Sequence, residues 1–306
     1  MSKQVKGVLL TLLGGICWGL SGTMGQYLFT HQGMDSRWLV PVRMAISGLL
    51  LFVYCLLRWR KEVFAPWRTR RNARDLLIYG LLGISACQYL YFFTIQLSTA
   101  GMATILQDLS PVMILTLTCI TARRAPWPFE AVSILLALAG VFLLTTHGRL
   151  NQLTVSPAAL LTGVLSAVCV TVYNVQPKRL LQQFPVPLLQ AWAFLMGSVV
   201  FGLLFRPWRF GYVPNAMGWA GIAFVVLVGN VTAFVSFMTG VSLIGPDKAI
   251  LYGFSEPVTA ALLAALVLGT PFTLWDALGF AAVFAMLALL SWGPRLKGKT
   301  VSVQKK

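Results

Sequence analysis

The chain is 306 residues long, 58% hydrophobic and 10% charged, with a formal net charge of +16 and a pI near 10.2. Soluble domains carry about 25% charged residues, so this composition cannot clothe a water-soluble globule and points to burial in lipid. A basic excess would suggest nucleic acid in a soluble chain. Here the cations fall in short segments between apolar runs, as membrane topology demands, and no nucleic-acid partner is expected.

Spanning a bilayer takes about 20 mostly apolar residues per helix, and ten such runs follow one another. The first, 5–29, is preceded by Lys3 and Lys6 and is dotted with Gly14, Gly15, Gly19, Gly22 and Gly25. No A-x-A-like cleavage site follows it, so it reads as a retained first helix whose glycines allow close packing. The second, 38–57, carries Arg43 and ends at the longest connector, the basic stretch Arg58 to Asp75. Spans 76–97, 101–122 and 129–146 complete a first group of five. Spans 157–177, 187–205, 217–243, 247–268 and 274–292 form a second. Runs such as Ala260 to Leu268 are apolar on every side, whereas barrel strands would alternate, so helices are expected throughout.

Ten spans place both termini on one side. That side collects 19 of the 24 lysines and arginines and the opposite side four, with Arg43 inside a span. The bias predicts cytoplasmic termini. Ser110-Pro111-Val112 recurs as Glu256-Pro257-Val258, 146 residues on, and the same offset matches Gly83 with Gly229, Leu97 with Leu243, Ala103 with Ala249 and Glu130 with Asp276. Two repeats of five helices each must be inverted relative to one another, an arrangement in which a substrate site sits near the midplane between the halves.

Three ionisable groups lie inside apolar spans: Arg43, Asp108 and Glu256. A charge at the bilayer centre costs about 2.5–3.5 kcal/mol on insertion scales, so each should face a cavity or a partner. A structural ion pair between Arg43 and one carboxylate is one reading. Substrate contact or proton binding by the acids is the other. Thr104, Gln107, Asp108 and Pro111 form one helical stripe, and Tyr252, Glu256 and Thr259 another. Each of these helices carries a proline, which frees a backbone carbonyl. Trp18, Ser21, Gln26, Gln88, Tyr91, Gln96, Tyr173, Asn174, Gln176 and Asn230 add polar or aromatic groups inside spans. Singly, each could be an interhelical hydrogen bond; together they imply a polar interior.

Other chemistries lack their residues. There is no HExxH and no Walker A sequence, and Cys17, Cys55, Cys87, Cys119 and Cys169 sit in apolar runs without CxxC spacing, so no metal, disulfide framework or ATP site is expected. Gly19-Leu20-Ser21-Gly22 fits the G-x-S-G of intramembrane serine proteases, but His31 and His147, the chain's two histidines, fall in loops, and that chemistry needs a base in a span.

Trp18-Gly19-Leu20-Ser21, Arg43-Met44, and the helix from Glu256-Pro257-Val258 to Val267-Leu268-Gly269 together resemble the drug/metabolite transporter superfamily, specifically its EamA-type members, over about residues 7–292. They are similar, in turn, to the family's W-G-S pattern, its frequent Arg-Phe pair, and its proline helix ending in L-G-E. That final Glu is Thr270 here, and Thr121-Ala122-Arg123 stands in the first half, so no role of the Glu carries over. The resemblance implies alternating access, often proton-coupled, without a cofactor. The expectation is an all-α integral membrane protein of ten transmembrane helices, with repeats at 1–150 and 151–306. It would be an alternating-access exporter of a small solute in the cytoplasmic membrane, monomeric or homodimeric, with protons as a candidate second partner. Asp108, Glu256, Arg43, Gln107, Trp18, Ser21, Gln88, Tyr91, Tyr173, Asn174 and Tyr252 are the candidate site residues. A passive facilitator, or a membrane enzyme or sensor without transport, is the alternative.

Overall fold

A computed structural model describes residues 2–147, 155–245, 249, 252–253, 255–269 and 273–303, with side chains described up to residue 290 except at 264. Ten apolar helices follow in order: α1 (Lys3–His31), α2 (Ser36–Trp59), α3 (Arg70–Leu97), α4 (Ala100–Thr121), α5 (Pro128–Thr146), α6 (Pro157–Val175), α7 (Val186–Phe205), α8 (Ala216–Ile244), α9 (Ser255–Leu268) and α10 (Leu274–Val303). Eight are long and apolar enough to cross a membrane, and α9 and the apolar part of α10, Leu274–Leu290, are shorter. The expected repeat boundary at 150/151 lies outside the described residues.

The basic connector is ordered rather than a loop. Arg60–Trp67 is a 3-10 helix, Arg70 already opens α3, and the Trp192 indole donates to the Val63 carbonyl at 2.8 Å. A buried indole N–H must find an acceptor, and that bond ties the connector to α7.

The 146-residue offset recurs in the local structure. Thr69 caps α3 by accepting from the Asn72 amide, and Asn215, its equivalent, caps α8 by accepting from the Gly218 amide. The Glu130 carboxylate accepts from the Trp127 amide at the start of α5, and Asp276 accepts from the Thr273 amide at the start of α10. Arg60 and Arg206 close α2 and α7 with φ of 49° and 52°, and Arg123 and Gly269 follow α4 and α9 with φ of 49° and 61°. Within α3 the segment Ile78–Ser85 is π-helical, and so is Val225–Thr232 within α8. Such bulges widen a turn and release a backbone group, and they concentrate at functional sites. The same turn chemistry stops and starts both halves, although few residue identities are shared.

Packing follows the same symmetry. Helix α1 crosses the π-segment of α8 and lies on α9, while α6 crosses the π-segment of α3 and lies on α4. The pairs α2/α7 and α5/α10 are self-equivalent. Small residues permit the closest approach. A Cβ added at Gly19 would lie 2.7 Å from the Glu256 carbonyl, and one at Gly14 would lie 2.7 Å from Phe237 Cβ. The first-span glycines therefore pack helices together, and α1 becomes the wall shared by both halves.

Helix α4 is interrupted. Its first segment ends at Gln107, Asp108 and Leu109 form a turn, and Ser110–Thr121 resumes with Pro111 in its first turn. Proline cannot donate to the preceding turn, so the break falls just before it and sets Asp108 on irregular backbone inside the bundle.

Candidate functional site

Two adjoining chambers lie where α1, α2, α3, α4, α6, α8 and α9 converge. One, of about 40 Å³, is lined by Ser21, Arg43, Cys87, Gln88, Tyr91 and Phe92. The other, of about 50 Å³, is lined by Asp108, Ser110, Pro111, Asn174 and Phe237. Trp18, Gln107, Tyr173 and Glu256 line both. A water needs roughly 10–15 Å³ of such space, so each chamber holds a few waters and neither holds a metabolite as it stands. A larger groove beside Cys119, Ile120, Arg123 and Arg124 opens at the far end of α4, away from these side chains.

Arg43 is fully buried on α2. Its Nη2 donates to the Asn230 side-chain oxygen and, at 3.5 Å, to the Val225 carbonyl of the α8 π-segment. Its guanidinium carbon sits 4.0 Å over the Phe92 ring. Asn230 is the hub: Gln88 Nε2 also donates to its oxygen at 3.2 Å, and its own amide donates to Ser47 Oγ at 2.9 Å. The alternative of an ion pair from Arg43 to Asp108 or Glu256 is not what the fold builds. Among the described residues its guanidinium is held by a neutral amide and a carbonyl from the α8 π-segment and by the aromatic face of Phe92 on α3, while the acids lie on α4 and α9. Arg43 Nε and Nη1 have no hydrogen-bond partner there.

Glu256 borders both chambers and shares the first with Tyr91, whose hydroxyl lies near its carboxyl. That hydroxyl also bonds Thr104 Oγ1 at 3.0 Å, linking α3 to α4. Asp108 Oδ2 is buried without a partner among the described residues. Gln107 Nε2 donates to Cys87 Sγ at 2.9 Å. Tyr173 is buried on α6, against the backbone of Gly83. The Asn174 amide donates to the Val170 carbonyl at 2.9 Å, and the residue lines the second chamber.

Ten of the eleven expected site residues thus line this space, and Tyr252 does not. Gln26 and Gln96 are structural instead. The first accepts from the Ala100 amide that opens α4, the second from the Ser36 amide that opens α2, each at 2.8 Å. Phe92, Phe234 and Phe237 were not anticipated. The last two pack on Trp18 with ring centroids 4.8 and 4.7 Å away. Nothing in an apolar run separates a cavity-facing phenylalanine from a lipid-facing one.

The profile of the EamA-like transporter family matches residues 5–146 and again 157–292, once for each repeat. The inner membrane transporter YicL of Salmonella typhimurium is 31% identical over 98% of this chain and 99% of its own. The inner membrane transporter YedA of Escherichia coli is 25% identical over 91% and 90%. The threonine/homoserine exporter RhtA of Salmonella typhimurium is 27% identical over 56% of this chain and 52% of its own. A crystal structure of another protein, 16% identical, superposes with a TM-score of 0.65 over 95% of this chain and 98% of that one, which shows the fold alone. Two family matches, one on each inverted five-helix repeat, and relatives named as inner membrane transporters make this chain a multi-pass inner membrane transporter of the EamA-like transporter family.

Proposed function

We propose that the chain exports a small polar solute by alternating access, with the halves 1–150 and 151–306 rocking about the central chambers and both termini cytoplasmic. Transport is coupled to protons through Glu256 and Asp108. The observation that carries this reading is a pair of carboxyl groups on a water-sized cavity between the repeats, with no basic partner in ion-pairing contact among the described residues. A buried acid of this kind is cheaper protonated than charged. It can load a proton when the cavity faces one side and release it on the other. Export is the direction supported by the likeness to RhtA.

Proteoliposome flux tests the reading. A proton gradient should drive uptake or release of a solute from a chemically broad panel, and unlabelled solute on the far side should accelerate exchange. Flux that neither saturates nor shows counterflow would mark a passive pore. No flux of any solute would point to a membrane enzyme or sensor.

A further inference from the structure

A groove of about 330 Å³ lies where α4 ends beside α5, several times the volume of either central chamber. Thr116, Cys119 and Ile120 of α4 and Ile134 of α5 line it, and Arg123 and Arg124 follow at the end of α4. The Thr116 hydroxyl already donates to the Val112 carbonyl at 2.8 Å, so this wall offers little but hydrocarbon. Around it Leu117, Leu135 and Leu138 are exposed, and so is Trp127 at the start of α5. On a spanning helix such leucines face acyl chains, and a tryptophan at a helix end marks the depth of the lipid headgroups. The two arginines differ. Arg124 gives both terminal nitrogens to the buried Glu130 carboxylate, at 2.7 and 2.8 Å, and Glu130 also accepts from the Trp127 amide. Those two charges satisfy each other. Arg123 is exposed, and its side chain has no hydrogen-bond or ion-pair partner among the described residues.

Arg123 holds φ of 49°, and Gly269, its equivalent 146 residues on, holds φ of 61°. Glycine takes that conformation without the clash a side chain brings. Arg60 and Arg206 keep an arginine at such a position in both halves, as a shared helix cap does. Arg123 does not recur, and Arg124 is matched by Thr270, so this cationic rim belongs to one half and to the cation-rich face of the bundle. We propose that an anionic phospholipid occupies the groove, with one acyl chain along α4 and α5 and its phosphate on Arg123. An uncompensated cation at headgroup depth beside an apolar channel is complementary to a phosphodiester joined to a hydrocarbon tail, and basic pockets between spanning helices take such head groups. A second copy packed here about a twofold axis would bring Arg123 against Arg123. A free anion would leave the apolar wall unused.

Purified full-length protein, stripped of lipid in detergent, is titrated with phosphatidylglycerol, with phosphatidylcholine of the same acyl chains and with inorganic phosphate. Melting temperature and native mass spectrometry of retained lipids are the readouts. The expected result is a phosphatidylglycerol held about fivefold or more tighter than phosphatidylcholine, a higher melting temperature with it, and no response to inorganic phosphate. Arg123→Gly supplies the residue that Gly269 provides in the other half. Without lipid it should melt at or above the wild-type temperature, yet lose the preference for phosphatidylglycerol; Arg123→Gln serves should it not fold. Arg71→Gln, which removes an exposed charge from the same face, should keep the preference. Equal retention of the two lipids overturns the site, and equal loss of preference at positions 123 and 71 reduces it to general surface charge. Stabilisation by phosphate matching that by lipid would mark a free-anion site instead. A lipid-independent dimer that shields Ile120→Cys from a maleimide would give the groove to a second copy. A lower melting temperature for lipid-free Arg123→Gly with the preference intact would leave Arg123 as a helix cap and overturn the proposal as well.

Discussion

Glu256 and Asp108 share a cavity, yet their surroundings differ. Glu256 sits against the Tyr91 hydroxyl and borders both chambers, whereas Asp108 occupies the break in α4 with one oxygen unpartnered among the described residues. Glu256→Gln keeps the volume and removes the titrating group. It should leave a folded protein whose net flux no longer responds to a pH gradient, measured in proteoliposomes; retained pH-driven flux would remove Glu256 from coupling. Arg43 makes a second residue-scale prediction. Its partner is Asn230, so a thermal double-mutant cycle of Arg43→Ala with Asn230→Ala should show a coupling of about 0.5–3 kcal/mol. The cycle with Asp108→Asn should show less. The reverse order would restore the ion-pair account. Outside the membrane segments, burial raises the Asp35 carboxyl, but hydrogen bonds and charge from Arg37 outweigh it and hold the group below its usual range. A carboxyl depressed in the folded state stabilises above its unfolded pKa of about 3.9. That contribution is lost as the pH falls below this value, and Asp35→Asn should flatten this part of the pH–stability curve.

At the scale of the helices, the structure rests on contacts that glycine makes possible. Gly19 lets α1 reach the backbone of α9 beside Glu256. Gly19→Val should cost about 1–3 kcal/mol through overpacking, seen as a lower melting temperature, and should shift Glu256 enough to impair flux. The caps at Glu130 and Asp276 are a second handle. Glu130 accepts from the Trp127 amide and from both terminal nitrogens of Arg124, at 2.7 to 2.8 Å, while Asp276 accepts from Thr273 and pairs with His147 at 3.2 Å. Each acid replaced by Ala should lower stability by about 1–2 kcal/mol. Much of this was legible beforehand. Run length and proline position gave ten helices and a stripe on α4, and the offset of Pro111 and Pro257 exposed the repeat. Gln26 and Gln96 could not be told from site residues, because a buried amide that caps a neighbouring helix and one that faces a cavity look alike in sequence. The π-segments left no periodicity of their own in runs apolar on every side. Tyr252 shares the spacing of Glu256 but not its chamber, since spacing fixes a face and not what packs against it.

Across the whole molecule, the loops sort into two sets that contact their own kind. Arg179 after α6 bonds Asn72 and Asp75 at the start of α3. At the other end the Arg37 guanidinium lies 5.6 Å over Phe210, Trp38 packs on Tyr212, and His147 reaches Asp276. The first set belongs to the cation-rich side and the second to the cation-poor side, so the ends of the bundle agree with the charge bias although that bias took no account of contacts. The inverted repeat makes this testable at equivalent positions. Arg68, between α2 and α3, and Val213, between α7 and α8, occupy nearly corresponding places in the two halves, and Val213 is 84% exposed. Parallel repeats would put both on one side of the membrane. Inverted five-helix repeats put them on opposite sides, and the proposed orientation makes Arg68 the cytoplasmic one. On a background in which the five native cysteines are replaced, Val213→Cys should react with a membrane-impermeant maleimide in intact cells. Arg68→Cys should react only after the cells are permeabilised. Labelling of both in intact cells would deny the inversion, and labelling of Arg68→Cys alone would keep the inversion but turn the protein over, reversing the side from which the central chambers load.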